Sequence, residues 1–269
     1  MGRVIVFGVI ETLLDLAALD EHFKRVFHDA AARQEWFVQM LQSAFVATIT
    51  HAYTDFGSVG RAALDMVAAR RHLTFGDEQR QEILGAVRTL PPHPDVKEGL
   101  ERLRSAGLRL VALTNSTAAT AEAQLGHAEL RGYFERAFSV DEVKRFKPAA
   151  EVYQMVARQL GMAEDRLRLV AAHDWDVTGA LRAGLKAAFV ARPGKVLNPL
   201  GEQPDIVGRD LRELAQRIIE RDLPAQRRGV TTTESRMAPI QTATDKQKPV
   251  RQRQPLTLKA LKQRGPCPT

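Results

Sequence analysis

The chain has 269 residues, 44% hydrophobic and 26% charged, long enough to bury one substantial core with a smaller unit beside it. No apolar run reaches the roughly 20 residues of a membrane span. The opening MGRVIVFGVIETLLDL carries Glu11 and Asp15 and no small-residue cleavage site, which argues against a secretory leader. The single cysteine, Cys267, excludes a disulfide framework and argues against a cysteine-based metal site, so a cytoplasmic protein is expected.

The net charge of +7 is unevenly placed. Residues 224–269 hold ten Lys/Arg against two acids (+8), and residues 1–223 hold 29 against 30 (−1). The basic segment is polar, interrupted by proline and free of aromatics, a composition that reads as disorder. Its charge would attract nucleic acid or an anionic surface, but it reads as a solvated extension first.

Val4-Ile5-Val6-Phe7 is a short apolar, β-branched run that predicts a buried strand. From about Leu16 to Leu90 the spacing turns helical, with segments near 19–31, 34–52, 58–71 and 77–88, until Pro91-Pro92-His93-Pro94 stops it. Strand and helix then alternate. Helices are predicted over Asp95–Ala106, Ala118–Leu125, Ala149–Leu160, Val177–Ala183 and Leu211–Ile219. Strands are predicted over Leu108–Leu113, Ala137–Val140, Leu167–Ala171, Ala187–Ala191 and Asp205–Val207. Such alternation builds right-handed β-α-β units and a parallel sheet. The expected architecture is α/β: a Rossmann-like core from residues 1–15 and 91–223, an inserted helical cap from 16–90, and the basic tail.

In parallel α/β sheets ligands gather at the carboxyl ends of strands. The polar residues there are Glu11 and Thr12 after the first strand and Thr114-Asn115-Ser116 after the second. Lys147-Pro148 follows the third, with Tyr153 six residues on, and His173-Asp174-Trp175-Asp176 follows the fourth. In order, FGVIETLLDL, ALTNS, KPAAEVY, VAAHDWDVTGA and FVARPG resemble the haloacid dehalogenase superfamily, most closely its type II 2-haloacid dehalogenase branch, over about residues 1–220.

The resemblance implies hydrolysis of a carbon–halogen bond in a small 2-haloalkanoic acid, without metal or organic cofactor. An aspartate after the first strand would attack the halogen-bearing carbon and form an ester, which water then cleaves. It implies that Thr12 and Thr114 orient the nucleophile or hold the substrate carboxylate, with Asn115 beside them. Lys147 would pair with the carboxylates, Tyr153 would line the pocket, and Asp176 would pair with the lysine and position water. His173 stands where close relatives often carry asparagine. A homodimer through the cap follows by the same likeness.

Two departures stand out. The nucleophile's position is Gly8, which has no side chain. No arginine lies between Trp36 and Tyr53 to accept the halide, leaving that role unfilled or moved to Arg33 or Arg61. A Mg²⁺-dependent phosphatase of the same superfamily would need acids where this chain has Gly8, Ile10 and Ala172, so it is the weaker enzymatic reading. A binding protein that keeps the fold without catalysis is the alternative from another class.

Blander roles compete for several residues. Thr12 and Asn115 could cap turns, Asp176 could cap the helix that follows it, and His173 could be a turn histidine. Trp36, Phe37 and Met40 read as packing of the helical block or as a dimer seam rather than as a ligand box.

Overall fold

A computed structural model of the chain describes residues 3–223; the basic segment, its nucleic-acid reading and Cys267 lie outside the described residues. Six strands form one sheet: β1 (Val4–Gly8), β2 (Arg109–Thr114), β3 (Ala137–Ser139), β4 (Leu167–Ala171), β5 (Lys186–Val190) and β6 (Ile206–Gly208). Their order is β3-β2-β1-β4-β5-β6, and every neighbouring pair is parallel. Strand β1 is buried at all five positions, as a central strand covered on both faces must be, which is why its sequence is an unbroken apolar run. The chain leaves β1 toward β2 and β3 on one side and returns to β4 on the other. The carboxyl ends of β1 and β4 therefore flank a topological switch point.

Strand β4 contains one charge, Arg168, whose side chain is fully buried. Its guanidinium is satisfied by Asp222 (Nε to Oδ2, 2.6 Å), by Asp205 and by the Ala187 carbonyl (3.0 Å). These pairs make an otherwise costly buried charge tolerable and tie the strand to the helix Leu211–Asp222. They lie near the amino end of β4, away from the switch point.

Helices α5 (Val96–Ser105), α6 (Ala118–His127), α7 (Ala150–Leu160), α8 (Asp174–Arg182) and α9 (Leu211–Asp222) accompany the strands. Between β1 and β2 the chain makes a helical block of α1 (Asp20–Phe27), α2 (Ala32–Ile49), α3 (Phe56–Arg70) and α4 (Asp77–Ala86). Phe23, Phe27, Trp36 and Phe75 form its aromatic centre, and the buried Trp36 indole donates to the Gly60 carbonyl at 2.8 Å. The two connecting segments run side by side: Asp15 N donates to Pro91 O at 2.8 Å, and His93 N to Leu13 O at 2.9 Å. Among the described residues no helix is long and apolar enough to cross a membrane.

Three local differences from the sequence reading have physical causes. The helix expected over 19–31 is split: Asp15 caps a 3₁₀ turn at Leu16–Leu19, and α1 stops at His28, which takes a left-handed φ of 58°. The helix expected from Val177 begins at Asp174, with His173 at the N-cap position. Asp174 and Asp176 therefore sit in its first turn, where negative charge favours the free amide ends. The capping role weighed for Asp176 is thereby corrected: both its oxygens bond to other side chains. Finally, β3 stops at Ser139, because the Ser139 hydroxyl accepts from Asp141 N and turns the chain into a 3₁₀ turn.

Candidate active site

The turn after β1 is held from below. Ala172 N, just beyond β4, donates to the Thr12 hydroxyl at 3.1 Å. The Thr12 carbonyl accepts from Arg192 (Nη2, 2.9 Å), whose Nη1 bonds Asp95 at 2.6 Å. This clamp fixes Gly8 at the mouth of the sheet. Arg192 lies within FVARPG, but nothing in that sequence marked its part.

Lys147 is buried between β2 and α8. Its Nζ lies 2.6 Å from Asp176 Oδ2 and donates to the Leu113 carbonyl at 3.2 Å; Leu113 is the register partner of Gly8. Its backbone N–H donates to Asn115 Oδ1 at 3.0 Å, so Asn115 holds the lysine's loop in place. The other oxygen of Asp176, Oδ1, accepts from Tyr153 OH at 2.7 Å. Burial, reinforced by the Asp176 carboxylate, pushes the Tyr153 phenol well above its ordinary value and keeps it a donor. Asp176 is thus fully partnered: an ammonium on one oxygen, a phenol on the other.

A small cavity of about 30 Å³ lies at this point, lined by Gly8, Thr114, Asn115, Lys147, His173 and Asp176. Phe37, Leu41 and Phe56 reach it from the helical block, and Trp175 from α8. Of the residues singled out from sequence, Thr12 and Tyr153 do not line it: Tyr153 stands behind the wall bonded to Asp176, and Thr12 is bonded to Ala172 and Arg192. The reading of Phe37 as packing alone is corrected, since its ring faces His173 at 5.8 Å. Phe37, Trp36 and Met40 also line a second, larger cavity of about 290 Å³, which shares Ile10, Phe37 and Phe56 with the first. Arg61 lines that larger cavity, whereas Arg33 is paired with Asp20 within the helical block. Gly8, Ile10 and the buried Ala172 offer no side-chain carboxylate, so the residues present do not fit the magnesium site of a phosphatase.

Sequence reasoning missed one cluster at the rim. Glu11, at a left-handed φ of 61°, places its carboxylate against His173 (Nε2 to Oε2, 2.7 Å) and Lys195 (Nζ, 2.6 Å). Burial opposes its charge, but bonds and charges from His173 and Lys195 outweigh burial and lower its pKa from 4.5 to about 2. A carboxyl held down in this way adds stability above pH 4.5 that is lost as the pH falls toward 2. With its side chain 13% exposed, the contribution is of order 3 kcal/mol. Glu11→Gln is expected to lower stability at pH 6 and to flatten the loss between pH 4.5 and 2, measured by denaturant unfolding along a pH series. Parallel curves for the two proteins would contradict it.

Packing behind the site is equally tight. A Cβ added at Gly179 would meet the Pro148 carbonyl at 2.7 Å and Tyr153 OH at 2.7 Å. Gly179→Ala is expected to cost about 1–3 kcal/mol by overpacking, read as a lower denaturation midpoint. An unchanged midpoint would show that Pro148 can yield.

Fold and site together define an α/β hydrolase whose buried lysine–aspartate pair faces the end of the first strand. A family model of haloacid dehalogenase-like hydrolases matches residues 3–184. The chain belongs to the haloacid dehalogenase-like hydrolase family. It is 27% identical over 218 residues to an (S)-2-haloacid dehalogenase of Pseudomonas putida, covering 80% of this chain and 97% of that one. An (S)-2-haloacid dehalogenase of a Pseudomonas strain is 28% identical, over 75% of this chain and 88% of its own. The L-2-haloacid dehalogenase of Xanthobacter autotrophicus, solved with chloropropionic acid covalently bound, superposes with a TM-score of 0.76 at 25% identity. That match covers 82% of this chain and 99% of the other.

Proposed function

We propose that the cavity at Gly8 is a haloacid dehalogenase-type site for hydrolysis of a small 2-haloalkanoic acid, with the aspartyl-ester route closed because Gly8 has replaced the nucleophile. Residues 16–90 act as the cap over it, contributing Phe37, Leu41 and Phe56 as an apolar wall for the alkyl group. Thr114 and Asn115 hold the substrate carboxylate. Lys147 neutralises the carboxylates brought together there, and Asp176, fixed by Tyr153, keeps the ammonium aimed at the reacting carbon.

One observation carries this reading. A Cβ built on Gly8 lies 3.4 Å from Asp176 Oδ2, the oxygen that holds the Lys147 ammonium at 2.6 Å. A carboxylate on residue 8 would therefore join a charge cluster already supplied with its cation. The covalently bound chloropropionic acid of the Xanthobacter relative supports the same chemistry. Gly8 itself favours a second reading, a binding protein for small carboxylates that keeps the fold without turnover. Chloride release from 2-chloropropionate by the native chain and by Gly8→Asp tests both: restored turnover supports the disabled dehalogenase. Silence from Gly8→Asp across a panel of halo acids overturns it.

A further inference from the structure

The wall of the Gly8 cavity includes His173, which is backed by a charged pair, Glu11 and Lys195, that ester chemistry does not use. A carboxylate only accepts hydrogen bonds, so in the 2.7 Å contact between His173 Nε2 and Glu11 the proton is on Nε2. A neutral imidazole bonded in this way keeps its lone pair on Nδ1. The ring is held between Phe37, at 5.8 Å, and Trp175, at 4.9 Å, and all three line the cavity. Glu11 is fixed in turn by Lys195 and by its own N–H, which donates to the Leu14 carbonyl at 2.8 Å. The cavity has room for a water molecule beside these groups. Asn115, Lys147 and Asp176 supply polar groups around it.

We propose that His173, with Glu11 as its positioning residue, is a general base that activates a water for direct displacement of the halide. This rests on the reading of the cavity as a 2-halo acid site. The water oxygen forms the new C–O bond as the carbon–halogen bond breaks. Halide leaves with the bonding pair, and the water's proton passes to His173 Nδ1 and then to solvent. The 2-haloalkanoate and water become the 2-hydroxyalkanoate, halide and a proton, with no ester on the protein. Gly8 fits this route, since a longer side chain there would compete with the water for the cavity.

A single-turnover experiment in ¹⁸O-enriched water, with protein in excess over 2-chloropropionate, tests the proposal. The native chain is expected to release chloride faster than buffer and to place solvent oxygen in the product hydroxyl on the first turnover. Replacing the base, His173→Gln, lowers the rate by about 10²–10⁴-fold. Glu11→Gln lowers kcat with KM unchanged, because it orients the base and does not hold the substrate. Gly8→Asp, by contrast, delivers unlabelled oxygen from its own carboxylate on the first turnover. If Gly8→Asp turns over while the native chain does no better than buffer, the water route is overturned and the site reading stands. The same holds if native turnover survives His173→Gln, or if its first-turnover product is unlabelled. If no chain turns over, the site reading falls, and the water route falls with it.

Discussion

Gly8→Asp is expected to raise chloride release from 2-chloropropionate by about 10⁴- to 10⁶-fold over the native chain, the range seen when a covalent nucleophile is lost from other hydrolases. The new side chain must first be accommodated. Its Cβ would meet the Thr12 hydroxyl oxygen at 2.9 Å, closer than a settled contact, and that hydroxyl already holds Ala172 N. Thr12 must shift by a few tenths of an ångström, at an overpacking cost of about 1–3 kcal/mol. The added carboxylate also comes near Asp176, a like charge, and the Lys147 ammonium between them offsets that repulsion. Gly8→Ala carries the same steric cost without the nucleophile. It is therefore expected to be destabilised like Gly8→Asp yet to gain no turnover, which separates chemistry from packing. Equal chloride release by the alanine and aspartate variants would contradict an ester mechanism.

Lys147→Met is expected to be the most destabilising single change at the site, by about 3–5 kcal/mol in denaturant unfolding, because it leaves the Asp176 carboxylate buried without its cation. Asp176 is 1% exposed and keeps only the Tyr153 phenol as a side-chain donor. Adding Asp176→Asn removes the orphaned charge, while its amide oxygen can still accept from Tyr153. The double variant should recover a large part of the loss. If Lys147→Met and the double variant unfold at the same midpoint, charge desolvation is not what makes the lysine necessary.

These two predictions bear on parts of the molecule that were unequally legible in the sequence. The strand ends could be read because β1 and β4 are covered on both faces, leaving short runs that are apolar throughout in β1 and apolar apart from Arg168 in β4. Thr114 ends β2, Asn115 follows it, Asp176 lies shortly after β4 and Lys147 lies in the loop between β3 and α7, and the fold brings them to one rim. The helical block was harder. Phe37, Leu41 and Phe56 have the spacing of ordinary packing residues, and an apolar side chain facing a cavity looks the same in sequence as one facing another helix. The Glu11–His173–Lys195 cluster was not legible, because Lys195 reaches Glu11 from 184 residues away along a loop with no periodic pattern. Glu11 in a left-handed conformation gave no signal either, since glycine or asparagine is the residue that would have suggested one.

The dehalogenase reading proposed for the site depends on one point: that the lysine–aspartate pair beside Gly8 suits a carboxylate attacking a halogen-bearing carbon. Peptide mass spectrometry of Gly8→Asp, quenched during turnover of 2-chloropropionate, tests that claim most directly. A mass increase of one propionate unit on the peptide carrying residue 8, absent from the native chain and from Gly8→Ala, is the predicted result. An unmodified residue 8 in a folded variant that releases no chloride would contradict it.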